Sequence, residues 1–127
     1  MSPDGERFPP AARLSNRAEI ERVRREGKRV RTASIEARVT ASLCASTRVG
    51  IVVPKYGRSS VERNRLKRRL RELVRRTWLP QWRASAPLDV LVRVLPVAYA
   101  RAFDALGVEL QQLGARVDRQ RTATEGA

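Results

Sequence analysis

The sequence predicts an α+β protein, a two-layer α/β sandwich with its elements in the order α-β-β-α-β-α. Three observations carry this. "SIEARVTAS" and "STRVGIVVPK" alternate apolar and polar residues with the period of two of a half-buried strand. "LDVLVRVL" is apolar on both faces, as a strand inside a sheet is. Apolar residues at three- and four-residue steps occur before, between and after these segments, the pattern of helices packed against the sheet.

The elements follow in order. Residues 1–12 hold three prolines and one glycine without periodicity, and are expected to form a flexible arm. "LSNRAEIERVRREG" reads as a short helix with Ser15 or Asn16 as its cap and Leu14, Ile20 and Val23 as a narrow apolar stripe. Asn16 and Glu19 have capping-box spacing, and Gly27 suits a left-handed C-terminal position. "KRVR", 28–31, reads as a basic connector. The first two strands, with Ile35, Ala37 and Val39 and then Val49, Ile51 and Val53 facing inward, are expected to pair as a hairpin through "SLCAS". Pro54 lacks a ladder donor and ends the second strand. Ser59 and Glu62 have capping-box spacing, so a helix starts near Ser60 and runs to about Trp78, where Pro80 stops it. After "QWRASAP" comes the strand of Val90, Val92 and Val94 against Leu91, Arg93 and Leu95. A last helix over 99–117 presents Phe103, Leu106, Leu110, Leu113 and Val117 on one face. The remainder, 118–127, is expected to be a disordered tail, leaving 13–117 as the single domain.

The chain has 127 residues, with 27 Lys or Arg against 13 Asp or Glu, a formal charge of +14. Such an excess points first to a polyanion such as nucleic acid, and second to an anionic membrane surface. No run of apolar residues is long enough to span a membrane, and "MSPDGERFPPAA" has no apolar core of signal-peptide length. Cys44 is the only cysteine, so no internal disulfide forms; a cytoplasmic location is expected, with Cys44 a small apolar residue in or beside a strand. The chain lacks histidine, which removes the commonest general base and metal ligand, and with them a Ser-His-Asp triad. No catalytic and no metal-binding residue is assigned. Trp78 and Trp82 flank Pro80 and are expected to close the core edge, and Asp89 and Glu72 are not expected to form a carboxylate pair.

"SVERNRLKRRLRELVRR", 60–76, holds eight cations and two acids. At about 100° per residue, Leu66, Leu70, Leu73, Val74 and Thr77 share one sector that packs on the sheet. Asn64, Lys67, Arg68, Arg71 and Arg75 fall on one flank, and Arg65, Arg69 and Arg76 on the other. Arg63, Lys67, Arg71 and Arg75 repeat every fourth residue, so like charges repel along the helix. A phosphate backbone relieves that repulsion, and guanidinium forks match phosphate oxygens in pairs. A merely solvated face does not need eight cations. A membrane-surface helix would carry more aromatic bulk in its apolar sector.

"ERNRLKRRLRELVR" resembles the Arg-Asn-Arg signature helix of the bacterial ribonuclease P protein family. "RVGIVVPKY" and "LDVLVRV" resemble the strands on either side of it, and "RLSNRAEIERVRREGKRV" resembles the family's first helix and connector; the match covers roughly 13–117. The resemblance implies a left-handed crossover around the signature helix. It also implies an RNA-binding subunit that assists a catalytic RNA in removing the 5′ leader of precursor tRNA. The RNA would hold the Mg2+ ions, and the protein alone would bind no cofactor. Carried onto this chain, Arg63, Asn64, Arg65, Lys67, Arg68 and Arg71 would face the catalytic RNA. A leader cleft between the first helix and the sheet would involve Ile20, Arg24, Arg38 and Val52, with Lys55 at its rim and Tyr56 beside it. Family members often carry aromatic residues where this chain has Ile20 and Arg24, so guanidinium stacking by Arg24 and Arg38 would replace aromatic stacking. Tyr56 stands where a second lysine is common, and Leu95-Pro96 where the strand commonly ends in basic residues. A structural RNA binder such as a ribosomal protein is the competing class, and a protein-only nuclease the third.

Overall fold

The computed structural model describes residues 12–83 and 85–126. The elements are α1 (Arg17–Glu26), β1 (Lys28–Arg31), β2 (Ile35–Ala41), β3 (Arg48–Val52), α2 (Ser60–Arg76), α3 (Trp78–Gln81), β4 (Leu88–Val94), a 3-10 helix (Pro96–Ala100) and α4 (Phe103–Gly126). The α+β class and the positions of the principal elements agree with the sequence reading.

The four strands lie in the order β1-β2-β4-β3. β4 pairs antiparallel with β2 and parallel with β3. The hairpin expected between β2 and β3 therefore does not form, because β4 lies between them. β4 alone is buried on both faces along most of its length, so it takes a place inside the sheet beside β2. The parallel step from β3 to β4 requires a long crossover, which α2 supplies. "KRVR" is likewise not a connector. It is the edge strand β1, paired antiparallel with β2 and burying Val30. One inward residue in four gives almost no periodic signal, and long cations suit an edge strand because they stay in water.

Alternation along the strands divides the packing into two faces. Ile35, Ala37, Val49, Val90, Val92 and Val94 pack with Leu66, Leu70, Leu73 and Val74 of α2 and with Leu106, Leu110, Leu113 and Val117 of α4. On the opposite face Leu91 packs with Leu14 and Val23, joined by Ile20 and Val52. α1 thus covers part of the second face and leaves the rest open.

Local chemistry explains the helix ends. Asn16 Oδ1 accepts from the backbone N–H of Ala18 and Glu19, as a cap does. Glu19 does not close a capping box; its carboxylate pairs with Arg48. Gly27 is extended, with φ −70°, not left-handed. Its glycine is required by close approach, since a Cβ there would lie 2.5 Å from the Val23 carbonyl oxygen. Gly114 has a similar reason, because its Cβ would meet the Trp78 indole nitrogen at 3.0 Å.

Other expectations are corrected. Ala12 is buried in the core and Arg13 bridges to Val49, so the arm ends sooner than residue 12; its other residues, Phe8 included, lie outside the described set. Tyr99 belongs to the 3-10 helix, where Pro96 fixes the opening turn, and α4 starts at Phe103. α4 continues through 118–126, where a disordered tail was expected. No proline interrupts that stretch, and Asp118 is tied to the core by Trp82 Nε1 at 2.8 Å. Cys44 is exposed in the 42–47 loop, not beside a strand. Trp78 and Trp82 are buried as expected, with ring centroids 5.2 Å apart, and Trp78 Nε1 donates to the Leu110 carbonyl at 2.8 Å.

Leu70 is fully buried at the centre of the α2 stripe. Leu70→Ala is expected to lower unfolding free energy by about 2–5 kcal/mol in urea titrations. Glu109 joins α4 to the β1–β2 turn by accepting from Ser34 N at 2.8 Å, Ser34 Oγ at 2.7 Å and Thr32 Oγ1 at 2.7 Å. Burial opposes its ionisation, but these hydrogen bonds and the nearby Arg101 outweigh burial and hold the carboxyl below its ordinary value of 4.5. A depressed carboxyl contributes stability above its unfolded value and loses it as pH falls through the folded one. Glu109→Gln is therefore expected to be less stable near pH 7 and to lose less than the parent on acidification to about pH 3.

Candidate nucleic-acid interface

α2 is held at its start by a complete capping box. Ser59 Oγ accepts from Glu62 N at 3.2 Å, and the Glu62 carboxylate accepts from Ser59 N at 3.2 Å. Burial of Leu66, Leu70, Leu73 and Val74 fixes its rotation. Its cations then separate into two rows. Asn64, Arg65 and Arg68 are exposed, while Arg63, Lys67 and Arg71 are half-buried on successive turns.

The helix's own acids serve its ends. Glu62 pairs with Arg58 at 3.1 Å, and Glu72 takes Arg75 and Arg76. Among the described residues, no carboxylate lies within 4.0 Å of Arg65, Lys67, Arg68, Arg69 or Arg71. Burial pushes the Lys67 ammonium below its usual range, and the charge of Arg71 adds to that. Arg71 is lowered too, by burial and then by Arg13. Arg63 Nε is buried without a hydrogen-bond partner, although its Nη2 reaches Ser60 Oγ at 3.3 Å. An unpaired buried donor costs on the order of 1–3 kcal/mol, which an acceptor reaching it would offset.

Lys67 and Arg71 border a groove of about 210 Å³ along the outer edge of β3. Arg13, Leu14 and Ile20 form its other wall, and Val52 and Leu91 lie at its floor. A second cleft of about 400 Å³ shares Val52 and Leu91 and opens over the uncovered part of the sheet. Its remaining lining is Arg24, Glu36, Arg38, Pro54 and Arg93. Register makes this cleft: Val52 is paired with Arg93 and Arg93 with Glu36, so all three project from one face.

A buried carboxylate sets the wall of both depressions. Asp89 is fully buried beneath α1. Arg48 reaches it with Nε to Oδ1 at 3.0 Å and Nη2 to Oδ2 at 2.8 Å, and Arg22 of α1 caps Oδ2. The hydrogen bond to Asp89, against the cost of burial, raises the Arg48 guanidinium above its usual range. Glu19 of α1 closes the cluster on Arg48. Glu72 has different partners, Arg75 and Arg76 of its own helix.

The structure thus brings Arg24, Arg38 and Val52 into one cleft and places Ile20 in the adjoining groove with Lys67 and Arg71. Lys55 and Tyr56 line neither. They form the turn after β3, where Tyr56 has φ 46° and its hydroxyl donates to the Val94 carbonyl at 3.2 Å. Arg58 N donates to the Lys55 carbonyl at 2.7 Å, and the Arg58 guanidinium lies 4.9 Å from the Tyr99 ring centre. Sequence reasoning missed Arg13, Glu36, Leu91 and Arg93. Arg93 carried a signal, since it shares the phase of Leu91, but only strand order shows that this phase faces Arg38. Among the described residues, no aromatic side chain lines the cleft or the groove.

Among the described residues, no helix is long and apolar enough to cross a membrane, and no group of three or more His, Cys, Asp or Glu is placed to hold a metal ion. Residues 8–118 match the ribonuclease P family. The chain is 40% identical over 93 residues to the ribonuclease P protein component of Syntrophobacter fumaroxidans, covering 72% of this chain and 76% of that one. It is 34% identical over 99 residues to that of Kocuria rhizophila, covering 78% and 85%. In structure it resembles the RNase P protein from Thermotoga maritima, with a TM-score of 0.71 at 24% identity over 82% of this chain and 96% of that one. A sheet, a signature helix and relatives that agree along nearly the whole domain establish that the chain belongs to the ribonuclease P family, as a protein component of that ribonuclease.

Proposed function

We propose that the chain binds two RNA elements at once: a catalytic RNA on α2, and the 5′ leader of precursor tRNA in the cleft between α1 and the sheet. The observation that carries this is the adjacency of a row of cations without carboxylate partners and an open cleft that share Val52 and Leu91.

On α2, Arg65, Lys67, Arg68 and Arg71 supply donors to phosphates, Arg63 adds its unpartnered Nε, and Asn64 offers a neutral amide between them. Binding there relieves the repulsion between Lys67 and Arg71 that burial sharpens. In the cleft, Val52, Leu91 and Pro54 give an apolar floor to bases, while Arg24, Arg38 and Arg93 face the backbone. Arg24 is held by Glu21 at 2.9 Å and Arg38 by Glu36 at 3.7 Å, so their guanidinium planes are partly oriented before RNA arrives. Ile20 supports the wall; Lys55 and Tyr56 act from the turn at the far end of β3 and meet RNA only where it runs past the cleft.

The hydrolysis itself is the work of the RNA and its Mg2+ ions, in the cytoplasm. The donor set fits that division. The chain has no histidine, and the carboxylate that is fully buried among the described residues, Asp89, is paired with two guanidinia. Family membership replaces the ribosomal reading.

The test is reconstitution with a bacterial ribonuclease P RNA at limiting magnesium. Leader removal is expected to rise when the protein is added; firm binding to ribosomal RNA without stimulation overturns the proposal. Lys67→Ala and Arg68→Ala are each expected to reduce the slope of log affinity against log salt by about 0.7–0.9 for binding to that RNA. An unchanged slope means that these side chains do not meet phosphate.

A further inference from the structure

A third cationic surface lies at the opposite edge of the sheet from the β3 groove. Arg29, Val30 and Arg31 of β1 and Arg116 and Arg119 of α4 surround an open depression of about 490 Å³. Four guanidinia converge there. Among the described residues, no carboxylate lies within 4.0 Å of Arg31, Arg116 or Arg119. Arg29 has a loose pairing with Glu36 at 3.8 Å. Among the described residues of α4, the acids on either side of Arg116 are turned elsewhere. Asp118 accepts from Gln81 and Trp82, and Glu109 accepts from Thr32 and Ser34 and lies 3.9 Å from Arg101. Arg116 spends one donor on the Arg31 carbonyl at the β1 edge, which leaves most of its five N–H groups available.

Strand register connects this surface to the cleft. Val52, Arg93, Glu36 and Arg31 are paired in succession across β3, β4, β2 and β1. Gly50, Leu91, Arg38 and Arg29 form the next such row. Directly paired residues share a face, so both rows that floor the cleft end in an arginine of β1. From β4 to β1 is two strand spacings, about 10 Å. That is the rise of roughly three stacked nucleotides.

We infer that single-stranded RNA filling the cleft continues across β2 and rounds the sheet edge at β1, where Arg31 on the cleft face and Arg116 and Arg119 of α4 on the other hold its phosphates. This rests on the reading of the cleft as the leader site and extends it to the part of the leader farther from the tRNA body. Edge protection by cations is the simpler account of Arg29 and Arg31. It does not account for Arg116 and Arg119, which stand on a helix.

The test is the affinity of the reconstituted protein–RNA enzyme for precursor tRNAs with leaders of about four and about twelve nucleotides, within the site sizes of single-strand binding folds. The double variant Arg31→Ala/Arg119→Ala removes two exposed side chains, and Arg116→Ala is measured beside it. For the double variant, the long leader is expected to bind roughly tenfold more weakly with a salt slope lower by about 1.4, and the short leader to stay within about twofold of the parent. Unchanged binding of the long leader overturns the inference in favour of edge protection. Equal weakening of both leaders also overturns it, since the patch then meets the catalytic RNA or the tRNA body. Arg38→Ala separates the two readings: weaker binding of both leaders supports the cleft, whereas no effect on either removes the cleft reading and this extension together.

Discussion

The arrangement depends on the carboxylate of Asp89. It is fully buried on β4, and an unpaired charge there would be very costly. Arg48 of β3 and Arg22 of α1 both approach it, and Glu19 of α1 extends the cluster through Arg48. The interior strand, its parallel neighbour and the first helix are therefore locked by one polar knot. The apolar contacts of α1 are few: Ile20 and Val23, together with Leu14 of the preceding segment, against Leu91 and Val52. Such a small cluster leaves the helix poorly specified in direction, and the guanidinium forks supply the missing geometry. Because α1 forms a wall of both the cleft and the β3 groove, the shape of those surfaces follows from a residue that touches neither.

α2 answers a different demand. Its leucines face a large shared core with α4, so its position is set by packing on both sides. Fixed in that way, it can carry uncompensated charge that an isolated helix could not hold. Both of its acids are drawn to the ends, Glu62 to the capping box and Arg58, and Glu72 to Arg75 and Arg76. The middle turns remain electropositive, and Lys67 and Arg71 are partly dehydrated at the groove. The core thus stabilises the fold by enough to offset a helix face whose like charges repel.

Where a signal was local, the sequence was legible. The cap at Ser59, the Leu66–Leu70–Leu73–Val74 stripe and the two-sided burial of β4 each follow from periodicity or spacing, and each is present. What was not legible depended on partners distant in the chain. β2 and β3 looked like a hairpin because they are neighbours in sequence, and nothing local says that β4 separates them. β1 was missed because one buried valine makes no period. The family signature pointed to the α2 cations, and Arg24, Arg38 and Val52 do meet in one cleft. Arg93 and Glu36 enter that cleft through register alone, which no single stretch of sequence encodes. Gly27 was misread for a related reason: its constraint is the crowding of Val23 and Val39 against it, not its own torsion.

The place of β4 has a consequence for how the chain acquires its fold. β4, one of the sheet's two interior strands, follows α2 in the chain, so β2 and β3 remain unjoined until residues 88–94 insert between them. The pairings that complete the sheet, such as Ile35 with Val94, close long loops and form late in a search dominated by non-local contacts. During synthesis, the arginine-rich helix leaves the ribosome before the surface it must dock on exists. Its leucines then lack β4 and α4, two of the elements they pack against in the finished fold.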